Sequence, residues 1–496
     1  MEEAVVTRKE KKIKEDIQPK EESIGLKNLF EYPLMSALQE RRTRRVCKGA
    51  NINSGGISYE SPNKPESISR LEEAILVVST TGITGITMHD GPTFKVDGKE
   101  LGTPFLHLLA RTASSADNCQ ATSFFMINDE GNWLIKQPKG EDALELMANL
   151  PPKWKDWTEN DWISTAEKLK QKISDTRVDF PRHFPYYLGW NAQGSNLPGT
   201  TIFFPVVDCT RQYINAIMIV MEPEKTRPLI IDDWRKFTPK TLMDWAAWIG
   251  MKLNIVENIP YHPVGGIESV RSGFFNKNNI APLGLSNTLR TDYGSFFQFQ
   301  NLMLIAQGMG LGGWIHGSIF PPYVFEDKPE LDLHGLGFRM EKPKKEWSRW
   351  STSPPLPSTQ PNPVGIDGIL EGLCPPYVSS MDEAVDIIIE EKYSAKHGYS
   401  YGNKDLFNRS YKKPEYGDEY LKNATRMSPE IIQHTKDVCN YIYDTYGRFP
   451  AHVDAFYCPG VWLQVQNLEI EYYEKFYNPD LYERQAKHDE LWGIKK

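Results

Sequence analysis

Cysteine is scarce in this 496-residue chain: six in all, at Cys47, Cys119, Cys209, Cys374, Cys439 and Cys458. No two form a Cys-x-x-Cys pair, the spacing that iron–sulfur clusters and zinc ribbons use. Their scatter suits isolated thiols in a reducing compartment. No apolar run approaches membrane-spanning length. Residues 1–22 are dense in Lys and Glu and hold no apolar stretch, so neither a secretory signal nor an acid-poor transit peptide is expected. This segment reads as a solvated, disordered tail reaching to about residue 25. There is no internal repeat, no His-Glu-x-x-His and no Gly-x-Ser-x-Gly, so a duplicated half-size protein, a zinc protease and a nucleophile elbow are excluded. Positive charge is also short. With 57 Lys and Arg against 65 Asp and Glu, the net charge is -8. No general affinity for nucleic acid follows from that balance, although a local basic cluster can still hold one phosphate. A soluble cytoplasmic protein is the expectation.

What is present is a chain 40% hydrophobic and 12% aromatic, enough to bury a large core. A helix is expected from about Tyr32 into a run of arginines. The stretch Gly49 to Pro65 reads as a loop. Ser67 to Val78 has helical spacing, with Ile68, Leu71, Ala74 and Ile75 on one face. A helix is expected at about Pro104 to Thr112, with Phe105, Leu108 and Leu109 on one side. Two apolar runs, Ser123–Ile127 and Trp133–Ile135, flank the turn formers Asn128-Asp-Glu-Gly-Asn132 and read as a hairpin. A second strand pair is expected at Thr200–Val207 and Tyr213–Met221. Helices are expected at Thr241–Leu253 and Ser295–Gln307. Pro343 to Pro376 is crowded with proline and reads as extended. Ser380-Met-Asp-Glu383 is a capping box opening a helix to about Tyr393. Ser428-Pro429-Glu430 opens another, with proline in the first turn. The mixture lacks regular βαβ alternation, so the fold class is α+β, with a mostly antiparallel sheet flanked by helices.

Gly308-Met-Gly310-Leu-Gly-Gly313 matches the dinucleotide pattern G-x-G-x-x-G. That chemistry needs a strand before the glycines and a helix after them. Here they follow an apolar helix and sit at its carbonyl end, which repels phosphate. A glycine C-cap and tight turn is the better reading, and glycines in such a turn let a backbone approach a flat ligand.

Arg41-Arg42-Thr43-Arg44-Arg45 can be a solvated face. As a binding element, alternate residues of an extended turn would bring Arg41, Thr43 and Arg45 together on a phosphate. Ser114–Gln120 can be an ordinary helix-ending loop. As a binding element, Asn118 and Gln120 offer paired donors and acceptors to a heteroaromatic edge.

Taken in order, these segments resemble the FMN-dependent nitroreductase family. The arginine run is similar to that family's Arg-(Arg/His)-Ser-x-(Arg/Lys) segment. Ser114-Ser-Ala-Asp-Asn-Cys-Gln120 resembles its Pro-Ser-(Ser/Ala)-x-Asn-x-Gln loop, with Ser114 in place of the proline. Asn301-Leu-Met-Leu-Ile-Ala306 running into Gly310-Leu-Gly312 is similar to its closing helix and glycine turn. The resemblance implies a single nitroreductase-like domain over 26–496, with insertions at about 48–104 and 137–290 and a C-terminal extension at about 341–496. It implies FMN held by Arg41, Arg42, Thr43, Arg45, Ser115, Asn118, Gln120, Gly310, Gly312, His316 and Gly317, with Arg448 as the candidate for a further basic residue near the C-terminus. It implies a homodimer with FMN at the interface, and an aromatic stretch at Trp462–Tyr477 that could wrap the partner. The activity implied is hydride transfer from NAD(P)H or another donor to an electrophilic small molecule. The alternative is a flavin-binding or flavin-storage protein with a closed substrate face, and a third reading drops flavin and makes the chain an interaction protein.

Three other features have bland and functional readings. His452 and Asp454 have metal-ligand chemistry but lack a third ligand. Tyr186, Tyr187 and Trp190 suit either core packing or a lid over a flat ligand. Cys119, within the second segment, is more readily an inert thiol than a redox group.

Overall fold

Ser123-Phe-Phe-Met-Ile127 shows no polar alternation, and the fold supplies the reason: both faces of the strand it forms are covered. In the computed structural model, which describes residues 23–91, 94–96, 98–102, 104, 106–115, 118–138, 140–187, 189–231, 272–283, 287–319, 321–341, 362–452 and 460–493, with scattered positions between 242 and 253, six strands form the principal sheet. They are β1 (Thr122–Asn128), β2 (Gly131–Ile135), β3 (Lys170–Ser174), β4 (Thr200–Val207), β5 (Gly312–Ile319) and β6 (Gly460–Gln466). The order across the sheet is β5-β6-β4-β1-β2-β3. Every neighbouring pair is antiparallel. The expected hairpin is β1–β2, with Phe124 opposite Ile135 and Asn128 opposite Gly131. With 42% of the chain helical and 20% in strands, the class is α+β.

The main helices are α1 (Ile24–Glu31), α2 (Leu34–Glu40), α3 (Arg70–Thr81), α4 (Glu159–Leu169), α5 (Thr210–Met221), α6 (Asn287–Met309), α7 (Met381–Tyr393) and α8 (Pro429–Tyr446). Phe124, Met126, Phe203, Leu463 and Val465 bury one sheet face against Leu26, Leu76, Trp162 and Leu302 of α1, α3, α4 and α6. Phe125, Ile127, Ile202, Phe204 and Trp462 bury the other against Val178, Phe180, Phe325 and Phe338. Each such side chain contributes roughly 1.5–3 kcal/mol of transfer free energy. A separate core joins α5, α7 and α8 through Ile214, Met218, Ile388, Val438 and Ile442.

Capping follows the sequence signals. Ser69 and Glu72 form a reciprocal capping box at the start of α3. Ser380 Oγ accepts from Glu383 N at 3.3 Å, while the Glu383 carboxylate turns to Ser379 instead of closing the box. Pro429 begins α8, and Gly447 ends it in the left-handed region at φ 72.

Several expectations are corrected. Tyr213–Met221 is not a strand but most of α5, because its buried residues 213, 214, 217, 218 and 221 recur at helical spacing. The expected helix at Pro104–Thr112 is not formed among its described residues. Leu109–Arg111 is a strand, antiparallel to Ile83–Ile86, and Thr87 N donates to Leu108 O. Pairing with a neighbouring strand overrode a short helical pattern. Residues 23–25, read as part of the tail, belong to the start of α1: Ser23 caps it and Gly25 and Leu26 are buried. Most of the aromatics in Trp462–Tyr477 turn inward: Trp462, Tyr472 and Tyr473 are buried within their own chain, while Tyr477 is exposed. The regions read as insertion and extension supply β4 and β6, which lie next to each other inside the sheet. The proline-crowded stretch falls outside the described residues up to 361, after which Asn362–Ile366 is a strand. The expected helix Thr241–Leu253 lies outside the described residues apart from scattered positions. Among the described residues no helix is long and apolar enough to cross a membrane.

Candidate functional site

The helix α2 stops at Glu40, and Arg41 is already extended at φ -57, ψ 128. From there the arginine run passes over the end of the sheet. Two side chains hold its backbone: Tyr473 Oη accepts from Arg45 N at 2.9 Å and from Val46 N at 3.2 Å, and Gln466 Nε2 donates to Arg44 O at 3.1 Å. Gln466 and Gln464 are wholly buried and linked at 2.7 Å, so the support is rigid.

The four arginines then divide by role. Arg44 is buried and donates to Leu481 O at 2.7 Å, Gln307 Oε1 at 3.0 Å and Arg42 O at 3.3 Å. Burial lowers its pKa to about 10, so it remains charged at neutral pH. Arg42 and Arg45 are exposed. No described carboxylate lies within ion-pair distance of Arg41, Arg42 or Arg45.

The glycine turn arrives at the same place. Gly310 is left-handed at φ 88, and β5 begins at Gly312. A strand, not a helix, follows the glycines, as the carbonyl-end reading requires. A Cβ on Gly312 would lie 2.3 Å from Leu468 Cδ2 and 3.2 Å from Arg44 O, so this glycine is needed for the strand to pass the arginine run. Gly310 faces Arg484 O and His488, not open space. The two glycines therefore fit the turn to its own chain, which corrects their expected role against a ligand.

Two residues on, Trp314 stacks on His316 with ring centroids 3.4 Å apart and an interplanar angle of 6°. Arg45 lies over Trp314 at 5.6 Å. Trp462 Nε1 donates to His316 Nε2 at 2.8 Å, and Ser195 Oγ lies 2.9 Å from the same nitrogen. The indole N–H requires that nitrogen to be bare, so His316 accepts there. Burial pushes its pKa down to about 3, and it is neutral at physiological pH. His316 is thus a support behind Trp314. Gly317 O accepts from Asn191 Nδ2 at 3.2 Å.

These elements enclose a cavity of about 440 Å³. Arg42, Thr43, Arg44 and Arg45 line one side, and Trp314, Tyr472, Tyr473 and Tyr477 supply flat aromatic surface. No carboxylate lines it. Tyr473 is pushed up to about 12, mainly by burial, so its phenol stays neutral. The cavity is cationic and aromatic. Arg41 does not line it, which corrects the alternation of Arg41, Thr43 and Arg45.

The second segment opens elsewhere. Asn118 and Gln120 sit in the left-handed region at φ 50 and 41, and their amides are committed. Asn118 Nδ2 donates to His107 O at 2.8 Å, and Gln120 Nε2 donates to Leu109 O and Asn118 Oδ1, each at 2.6 Å. Ser115 Oγ accepts from Gln120 N at 2.8 Å. Gln120 lines a different cavity, beside Arg111 and Tyr399, that shares no residue with the first. Within one chain, Ser115, Asn118 and Gln120 therefore do not join the arginine run. Arg448 is corrected too. It is buried directly after Gly447 at the end of α8 and does not line the arginine cavity.

Tyr472, Tyr473, Tyr477 and Asn191 at the arginine cavity were not foreseen as site residues. The density of tyrosines at 472–477 was the available signal. Tyr187 is fully buried in the core, so packing is its role. His452 is buried with Nδ1 3.2 Å from Pro363 O. Asp454 lies outside the described residues, and among those described no group of three potential ligands could hold a metal. Cys119 is buried with Sγ 3.4 Å from Ser115 Oγ. Comparison of the chain with protein-family models, with curated proteins and with solved structures finds no match.

Proposed function

We propose that the arginine cavity binds FMN and that the protein is an oxidoreductase of the nitroreductase type and fold. The observation that carries this is that the arginine run and Trp314, two residues past the glycine turn, line one cavity with three arginines, aromatic walls and no acid. A flat, anionic ligand suits that lining. Exposed Arg42 and Arg45, with Thr43 between them, supply donors for a phosphate without first breaking an ion pair. Trp314 and the tyrosines supply surface for a ring system. Bound FMN would supply hydride transfer from NAD(P)H or another donor to an electrophilic small molecule. The chain's own residues bind and orient. Gln466 and Tyr473 fix the arginine backbone, and His316 holds Trp314 in place without exchanging protons near neutral pH.

The residues present fit the phosphate and the ring but not the amide-edge contacts, since Gln120 lines the other cavity and neither Ser115 nor Asn118 lines this one. If these contribute, they come from a second copy of the chain, which is consistent with a homodimer sharing its flavin.

The test is the absorption spectrum of the purified protein, then of the supernatant after heating. The expected outcome is an oxidised flavin spectrum, with bands at roughly 370 and 450 nm, and released FMN. Arg45→Ala should weaken FMN binding by about tenfold or more while leaving riboflavin, which lacks the phosphate, less affected. A colourless protein that takes up no added FMN would overturn the proposal. Bound FMN that NADH and NADPH both fail to bleach would favour flavin storage.

A further inference from the structure

The cavity that takes in Gln120 has its own chemistry. It measures about 140 Å³ and lies between the sheet ends and the helical region that carries Tyr399, Asn403 and Leu406. One side is apolar, formed by Leu106, Leu109, Leu370 and Leu406. The other presents Arg111.

Arg111 is held by three acceptors: Thr122 O at 3.0 Å, Gln120 O at 2.9 Å and Gln120 Oε1 at 3.3 Å from Nε. All three are neutral. Its two backbone partners take one N–H from each terminal nitrogen, so a second N–H on each remains without an acceptor among the described residues. No described carboxylate forms an ion pair with it, whereas Arg211 on the same cavity is paired with Glu391. Burial lowers the Arg111 pKa to about 10, so the charge persists at neutral pH. An enclosed guanidinium without a counter-charge is costly. A carboxylate's two oxygens match two guanidinium N–H groups.

We propose that this cavity is a second ligand site that takes a small organic monocarboxylate, its carboxylate on Arg111 and its apolar body, about one ring in size, against the leucines. A protein cavity near 150 Å³ holds a molecule the size of benzene, which sets the size class. Asp208 also lines the cavity, but its carboxylate is engaged by Thr210 N at 2.9 Å and Thr210 Oγ1 at 2.6 Å. Glu371 lines it as well and accepts from Gly368 N at 2.8 Å. Lys136 adds positive charge to the lining, and the paired N–H groups that match a carboxylate come from Arg111.

The test is calorimetric titration of the full chain with benzoate and, separately, with benzamide, which has the same shape without the charge. Benzoate should bind saturably, and benzamide about tenfold or more weakly. Arg111→Gln should weaken benzoate by about tenfold or more and leave benzamide unchanged. If Arg111→Gln does not fold, Leu406→Trp, which fills the apolar side, should abolish binding of both. Arg45→Ala should lower FMN retention and leave benzoate binding intact, which separates this site from the flavin proposal. Equal binding of benzoate and benzamide, no saturable benzoate binding, or binding unchanged in both cavity variants would overturn the assignment.

Discussion

Arg44 and Arg45 are adjacent, chemically identical and both line the arginine cavity, yet the first is buried and committed to its own chain and the second is exposed. What separates them is distant in sequence: Gln307 and Leu481 capture the Arg44 guanidinium, and Tyr473 turns the backbone so that Arg45 lies over Trp314. The arginine run was legible as a candidate anion site. Which arginine would be consumed was not, because that depends on carbonyls placed by other elements. Tyr473 gives this a test. Tyr473→Phe removes the acceptor for two backbone N–H groups at once. The expected cost is about 1–3 kcal/mol of stability in denaturant unfolding, with weaker retention of any flavin. A variant as stable and as flavin-bound as the parent would show that Tyr473 does not hold the run. His316 sits behind this wall with its pKa near 3, so no titration of flavin binding near neutral pH should trace to it.

The helices announced themselves where caps and spacing agreed. Ser380 and Ser428 each start the helix they were read to start, while the helix read from Ser67 begins at Arg70 behind the cap Ser69. Among the misread elements is α5, whose Ile-Val-Met composition suits a strand while its buried apolar residues repeat every three to four positions. Periodicity decided over residue preference because one helix face packs on α7 and α8. Another element-level contact could not be read from sequence at all. The short helix His488–Leu491 places the buried imidazole of His488 against Glu72, wholly buried in α3, and 3.2 Å from Asp489. Its hydrogen bonds and charge contacts with Asp489 and Glu72 outweigh burial and raise its pKa from 6.5 to about 9. Because the folded value is the higher one, this contribution is full below about pH 6.5 and is lost as the pH rises through about 9. Its size is at most about 3 kcal/mol. Denaturant unfolding should show stability falling from about pH 6.5 to pH 10 in the parent and a flatter profile in His488→Gln. Identical profiles would show that the pair does not anchor the C-terminal segment.

At the scale of the molecule, the question is whether two chains complete one site. In a single chain the arginine run and Gln120 line separate cavities. If the flavin site is shared, Arg45→Ala and a Gln120→Ala variant should each lose FMN as homodimers. Unfolding them together and refolding the mixture should restore FMN in the hybrid, up to one site per dimer. No recovery in a mixture that does form hybrids would mean that the loop serves its own cavity alone.

From the sequence by itself came the α+β class, the β1–β2 hairpin, the caps at Ser380 and Ser428, and the arginine run that lines the cavity. These rest on interactions among residues near in sequence: capping, turn formation and the spacing of apolar side chains. Tertiary structure alone decided that β6, from the far end of the chain, sits beside β4. It decided that Gln466 and Tyr473 on and after that strand support the arginine run, and that the Asn118 amide is spent on the His107 carbonyl and the Gln120 amide on that of Leu109. Those outcomes depend on which buried donors and acceptors meet once the sheet has closed, and a backbone carbonyl exposed by one element is satisfied by whichever distant side chain reaches it.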